Sequence, residues 1–140
     1  MVEITSNEEI QSIECAIAEA TPYGGVKEHL KRALEHHSDK QNPDYRNSIK
    51  ESISAVESLA KQVSGDEKAT LGAILKKLEK EEKMHPALKS AFSNLYGYTN
   101  DADGIRHALL NEEGSLTKTD AKFMLVCCSA FINYVIETIR

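Results

Sequence analysis

Phe123-Met124-Leu125-Val126-Cys127-Cys128-Ser129-Ala130-Phe131-Ile132-Asn133-Tyr134-Val135-Ile136 is the most apolar stretch of the chain, and its reading decides the fold. Ile139 extends it, and the polar exceptions Lys122, Ser129, Asn133 and Glu137 fall seven, four and four residues apart. At about 100° per residue, that spacing gathers the four onto one narrow stripe of a helix, where Ser129 and Asn133 read as interhelical hydrogen-bond partners or as lining of a site. A helix that is apolar around the rest of its circumference requires other helices to enclose it. Just ahead, Thr117-Lys118-Thr119-Asp120 has the form of a cap, with a hydroxyl answered three residues later by a carboxylate.

The remainder of the chain supplies the enclosing helices. Ser6 and Glu9 form another capping pattern, followed by Ile10, Ile13, Ile17 and Ala20 on one face. Thr21-Pro22-Tyr23-Gly24-Gly25 is expected to stop that helix. Val26, Leu30, Ala33, Leu34 and His37 then recur at helical spacing until Ser38-Asp39-Lys40-Gln41. Asn42 reads as a cap and Pro43 as the first residue of a third helix, which carries Ile49, Ile53, Val56, Leu59, Ala60 and Val63. Ser64-Gly65 closes it. A fourth helix has Leu71, Ile74, Leu75 and Leu78 inside and Lys76, Lys77, Glu79, Lys80 and Glu82 outside. His85-Pro86 breaks the pattern, because a residue before proline is pushed out of helical geometry. Leu88, Ala91, Phe92 and Leu95 mark a fifth helix, and Gly97 to Gly104 reads as a loop. The expectation is an all-α fold, a bundle of roughly five to seven helices. Residues 1–40 are more polar and are expected to form a helical hairpin packed on a bundle made by residues 41–140.

At 140 residues the chain has the size of one domain and can bury a core without metal or disulfide support. Its net charge of -5 gives no general attraction to nucleic acid or acidic membranes, while leaving room for a local basic groove. Cys15, Cys127 and Cys128 are odd in number and lack metal-ligand spacing, so they read as reduced core thiols of a reducing compartment. Neighbouring side chains on a helix diverge, which argues against a redox pair at Cys127-Cys128. Among His29, Glu35, His36 and His37, the adjacent His36 and His37 diverge in the same way, His29 lies seven and eight residues back with no carboxylate clearly on its face, and no metal site or cofactor is expected. No leader sequence is visible, no run reaches the roughly 20 apolar residues of a membrane span, and the expected location is cytoplasmic. The interleaved charges from Lys76 to Lys83 read as a solvated helix face.

The chemistry concentrates between Tyr96 and Asn111. In Arg106-His107, a guanidinium suited to holding phosphate stands beside an imidazole that can move a proton near neutral pH. Those two groups suffice for metal-free RNA cleavage, in which the 2′-hydroxyl attacks its own phosphate. Asp101 and Asp103 can orient the basic pair, and Tyr96 and Tyr98 can stack on bases. The same residues also allow a purely structural reading, with Arg106 and Asp103 as a loop-anchoring ion pair and His107 half buried.

The stretches Pro43 to Glu57, Leu95 to Thr99, Asp103 to Leu109 and Ala121 to Tyr134 together resemble the HEPN superfamily. The resemblance is specifically to the C-terminal HEPN-like domains of AbiJ-type bacterial abortive-infection proteins, and it covers about the last two-thirds of the chain. It implies an antiparallel helical bundle that pairs as a homodimer, bringing two motifs into one RNA-facing cleft, often beside an effector domain in a longer protein. Many members are metal-independent ribonucleases of phage defence. Arg106 matches the phosphate-holding arginine of the superfamily's R-x4-6-H pattern, and His107 falls where a polar residue belongs. Asn111 stands at the shortest-spaced position of the catalytic histidine, with Glu112 and Glu113 at the longer spacings. Asn cannot shuttle a proton at neutral pH, so the expectation is a degenerate motif serving RNA or partner binding. The alternative is an endoribonuclease in which His107 replaces the missing histidine. Arg46 and Asn47, within the shared stretch, are expected to line the same cleft.

Overall fold

The computed structural model describes residues 7–65, 68, 71–81, 83–100 and 117–139, of which 71 and 96–100 are described by their backbone only. Among the described residues there are six helices and no strand. They are α1 (Asn7–Glu19), α2 (Gly24–Ser38), α3 (Tyr45–Ser64), α4 (Leu71–Lys80), α5 (Pro86–Asn100) and α6 (Lys118–Ile139). The chain divides into two compact units, Met1–Leu59 with Leu116–Arg140, and Ala60–Ser115. The expected all-α class is what the chain adopts.

The first unit is built on α6. Its start is locked by a reciprocal cap. The Asp120 N–H donates to Thr117 Oγ1 at 3.2 Å, while Asp120 Oδ2 accepts the Thr117 N–H at 2.9 Å. Ala121, Met124, Leu125, Cys128, Ser129, Phe131, Ile132, Val135 and Ile136 are buried. They pack against α1 and α2, whose contributions are Ile13, Ala16, Val26, Leu30 and Ala33. The alanines on the partner helices have no exposed surface and let the backbones approach closely. By length and composition α6 is apolar enough to cross a membrane. Its contacts are those of a core helix.

The polar stripe of α6 turns inward, onto α1. Lys122 Nζ lies 3.3 Å from Glu9 Oε1, and Asn133 Nδ2 donates to the Ser12 carbonyl at 3.1 Å. Ser129 has no exposed surface, and Glu137 at the far end is exposed. The outward side instead carries Phe123, 53% exposed, and Ala130. The reason lies on α1, which offers the Glu9 carboxylate to Lys122 and the Ser12 carbonyl to Asn133. The match is incomplete, because Ser129 Oγ and Asn133 Oδ1 have no hydrogen-bond partner.

Two helix boundaries differ from expectation. Gly24 and Gly25 open α2 instead of ending α1. The turn is completed before them, with the Tyr23 N–H on the Ala20 carbonyl at 2.7 Å. Glycine gives up little in a first turn, where N–H groups have no intrahelical partner. α3 is capped by Asp44, not Asn42, and begins at Tyr45, not Pro43. Its far end closes as expected on Gly65, whose φ of 72° is the left-handed geometry that favours glycine.

In the second unit α4 packs on α5, with Ile74, Leu75, Leu78 and Met84 buried. Pro86 opens α5 as expected, and His85 Nδ1 accepts the Ala87 N–H at 3.0 Å. Lys89 on α5 reaches Glu79 on α4 at 3.0 Å. The apolar face of α5 is covered thinly, with Leu88 36% exposed and Phe92 and Leu95 half buried. α5 also continues to Asn100, so Gly97 to Asn100, expected in a loop, are helical. No proline interrupts Tyr96 to Asn100, and a single glycine costs a helix only about 1 kcal/mol.

Leu125→Ala, which empties a site with no exposed surface, is expected to cost about 2–5 kcal/mol in urea denaturation. Phe123→Ala should stay within about 0.5 kcal/mol of the parent. Ser129→Ala should be neutral or stabilising, since it removes a buried hydroxyl that has no partner.

Candidate functional site

Of the site residues singled out in the sequence, Arg46 and Asn47 lie in the first turn of α3. Asp101, Asp103, Arg106, His107 and Asn111 lie outside the described residues, as does Ser6 of the first expected cap. Tyr96 and Tyr98 belong to the backbone of the last turns of α5.

The α3 N-terminus is organised by Asp44. One carboxylate oxygen accepts the Asn47 N–H at 3.0 Å, and the other accepts the Asn47 side-chain amide at 2.6 Å. The Ser48 N–H, 3.0 Å from the Asp44 carbonyl, begins the helical ladder. Burial alone pushes the Asp44 carboxyl up. The backbone N–H and side-chain amide of Asn47, with His36 and Arg46 nearby, outweigh it and hold the carboxyl below its ordinary range. Asn47 therefore has a structural partner of its own, and its amide nitrogen is engaged. Arg46 beside it is partly exposed.

Behind this turn α3 is fastened to α2 by the Ser48 hydroxyl, while the Ser52 hydroxyl bonds back within α3. Ser48 Oγ donates to the Ala33 carbonyl at 2.8 Å, and Ser52 Oγ donates to the Ser48 carbonyl at 2.9 Å. Both serines are fully buried, so their short side chains let α2 and α3 approach while satisfying their own polarity. The loop between the helices is tied down by the Asp44 N–H on the His36 carbonyl at 2.9 Å. Asp39 Oδ1 also accepts the N–H groups of Gln41 and Asn42, each at 3.0 Å.

Two histidines of α2 meet residues of α3. His29 Nδ1 meets Glu51 Oε2 of α3 at 2.5 Å, both side chains partly exposed. Their separation of 22 residues hides the pair from any local pattern. His37, in the last turn of α2, is buried, with the Tyr45 ring 5.6 Å away at an interplanar angle of 57°. Burial, then Lys118 and Lys122, push its imidazole below its ordinary range, so it is neutral at pH 7. The apolar spacing of α2 placed His37 on the inner face, and that is where it lies.

Among the described residues, no group of three or more His, Cys, Asp or Glu side chains is arranged to hold a metal ion. The cysteines are free thiols. Cys128 is buried, and burial followed by the neighbouring Cys127 pushes it up to about 12, while burial alone raises Cys127. Cys15, expected in the core, is exposed. It sits beside Ala16, which faces inward, and an adjacent residue points about 100° away.

The sequence matches no protein-family model, and neither the curated proteins nor the solved structures compared with it include a match.

Asp44→Ala should cost about 1 kcal/mol through loss of the cap. Asp44→Asn keeps an acceptor for the Asn47 N–H but removes the charge. Because the Asp44 carboxyl is depressed in the folded chain, its contribution is present above the unfolded value near 3.8 and disappears as pH falls through the folded value. The parent should therefore lose stability more steeply than Asp44→Asn below about pH 4, as followed by circular dichroism. In native alkylation with iodoacetamide, Cys15 should react first and Cys128 only on unfolding, as read by peptide mass.

Proposed function

We propose that this chain is a HEPN-like domain of a bacterial phage-defence protein of the abortive-infection type. It acts in the cytoplasm as a homodimer that binds RNA, with an effector domain as partner. The observation that carries binding over catalysis is Asn111, which stands at the position of the family's proton-shuttling histidine while Arg106 retains the phosphate-holding residue. An arginine without an acid or base still grips phosphate through two parallel hydrogen bonds. The all-helical architecture agrees with this reading. A partly exposed arginine at the start of α3, Arg46, offers a second cationic contact at a capped helix end. Tyr96 and Tyr98, with Asp101 and Asp103, complete the ligand-binding set. The alternative is a metal-independent endoribonuclease using Arg106 and His107.

One experiment addresses both readings. A labelled mixed-sequence RNA is incubated with the protein in EDTA and followed by gel shift and by denaturing gel. The expected result is a retarded, intact RNA, with Arg106→Ala and Arg46→Ala each weakening binding about tenfold, equivalent to about 1.4 kcal/mol. Cleavage in EDTA that disappears in Arg106→Ala would establish the nuclease instead. A well-folded protein that neither retards nor cuts RNA, or a clean monomer by solution mass at micromolar concentration, would overturn the proposal.

A further inference from the structure

Charge, burial and hydrogen bonding conflict at the corner where α2 ends and α3 and α6 begin. His37 is only 4% exposed, and neither ring nitrogen has a hydrogen-bond partner. The next residue, Ser38, likewise has a buried hydroxyl oxygen without a partner. A neutral imidazole carries one donor and one acceptor, so both halves of its hydrogen-bonding capacity are unmet. The groups around it offer no relief for a positive charge. From α6, Lys118 and Lys122 bear on it as cations, and Lys122 is already paired with Glu9 of α1. From α3, Tyr45 contributes an aromatic ring. The carboxylate ahead of α3, Asp44, is held by Asn47, with His36 and Arg46 as its charged neighbours. Between α2 and α3 the chain runs through residues 39–43, which are exposed. This loop is tied by the Asp39 carboxylate, which accepts the N–H groups of Gln41 and Asn42, and by the Asp44 N–H on the His36 carbonyl.

We propose that His37 is a proton-operated latch: in mild acid its protonation expels the imidazole from this corner, opening the α2–α3 junction and releasing the first turn of α3 while the α1–α6 core stays closed. The imidazolium has two donors and a full charge, whereas in the closed corner neither ring nitrogen has a hydrogen-bond partner and Lys118 and Lys122 disfavour a positive charge. An open junction gives the same group water. Burial and the lysines lower the affinity of the closed form for the proton, so the open form binds it more tightly and gains population as pH falls below about 6.5. The elements that move carry Tyr45, Arg46 and Asn47, so the junction would present this turn differently at neutral and at acidic pH. The latch does not depend on the RNA reading.

Hydrogen exchange of the full chain at pH 7.5 and 5.5, corrected for the intrinsic pH dependence of exchange, tests it. Peptides spanning residues 35–48 should lose up to about tenfold in protection at pH 5.5, the ceiling for one site taken one pH unit below 6.5. Peptides spanning residues 10–20 and 124–136 should not. His37→Phe, which keeps a flat ring but cannot take a proton, should hold residues 35–48 equally protected at both pH values. His37→Gln, neutral at both, serves if the phenylalanine variant fails to fold. Acid-dependent opening that persists in a folded variant would overturn the latch. So would loss of protection in α1 and α6 in step with the junction, or unchanged protection in the parent at pH 5.5.

Discussion

The side of α6 that carries Ala121, Leu125, Ser129 and Ile132 is wholly removed from water, and the first unit exists because other helices cover it. Burying side chains such as Leu125 and Ile132 contributes about 1.5–3 kcal/mol apiece, which is the source of most of a small domain's stability. That requirement orders the rest. α1 and α2 must present alanine and aliphatic carbon to α6, and the serines of α3 must bring it close to α2. The polar atoms trapped on the way have to find backbone partners. Asn133 finds one in Ser12, and Ser48 finds one in Ala33. Ser129 does not.

The corner around His37 shows the opposite balance. Asp44 and Asn47 satisfy each other, and the cap makes the first turn of α3 well defined. At the end of α2, beside the Tyr45 ring, sits an imidazole whose nitrogens have no hydrogen-bond partner. Order at the helix start and frustration beneath it belong to one structure. A site whose geometry is sharp in one state and can be released by a single proton has the ingredients of a two-state element.

Helical spacing was a reliable guide wherever burial and periodicity agreed. Val26, Leu30 and Ala33 of α2, Ile74, Leu75 and Leu78 of α4, and the cap at Thr117 and Asp120 lie where their pattern places them. Boundaries were legible only when the capping side chain had no rival. Asn42 and Asp44 are both good caps, and the choice between them depended on the contact of the loop with His36, which no local rule contains. The glycines at 24 and 25 and at 97 follow the same logic, since the turn or helix around them is decided by neighbours. On the polar stripe of α6, Ser129 and Asn133 read as hydrogen-bond partners between helices; Asn133 is one, through the Ser12 carbonyl of α1, while Ser129 is buried without a partner. At the candidate site, the engagement of Asn47 by Asp44, through both its backbone and its side-chain amide, is what the sequence reading missed. The pairing of His29 with Glu51 was not legible either, because it joins separate helices through side chains that each look solvated.

The first unit is discontinuous, its closing helix encoded after residues 60–115. The hydrogen bond from Asn133 to Ser12 spans 121 residues of chain. At about 5–20 residues per second, a ribosome needs roughly 6 to 24 s to make that length. Through that interval the apolar faces of α1 and α2 wait for α6, exposed or held by a chaperone. Biosynthesis of this fold is thus gated by its last described helix, and ribosome-bound chains lacking α6 should be the aggregation-prone species.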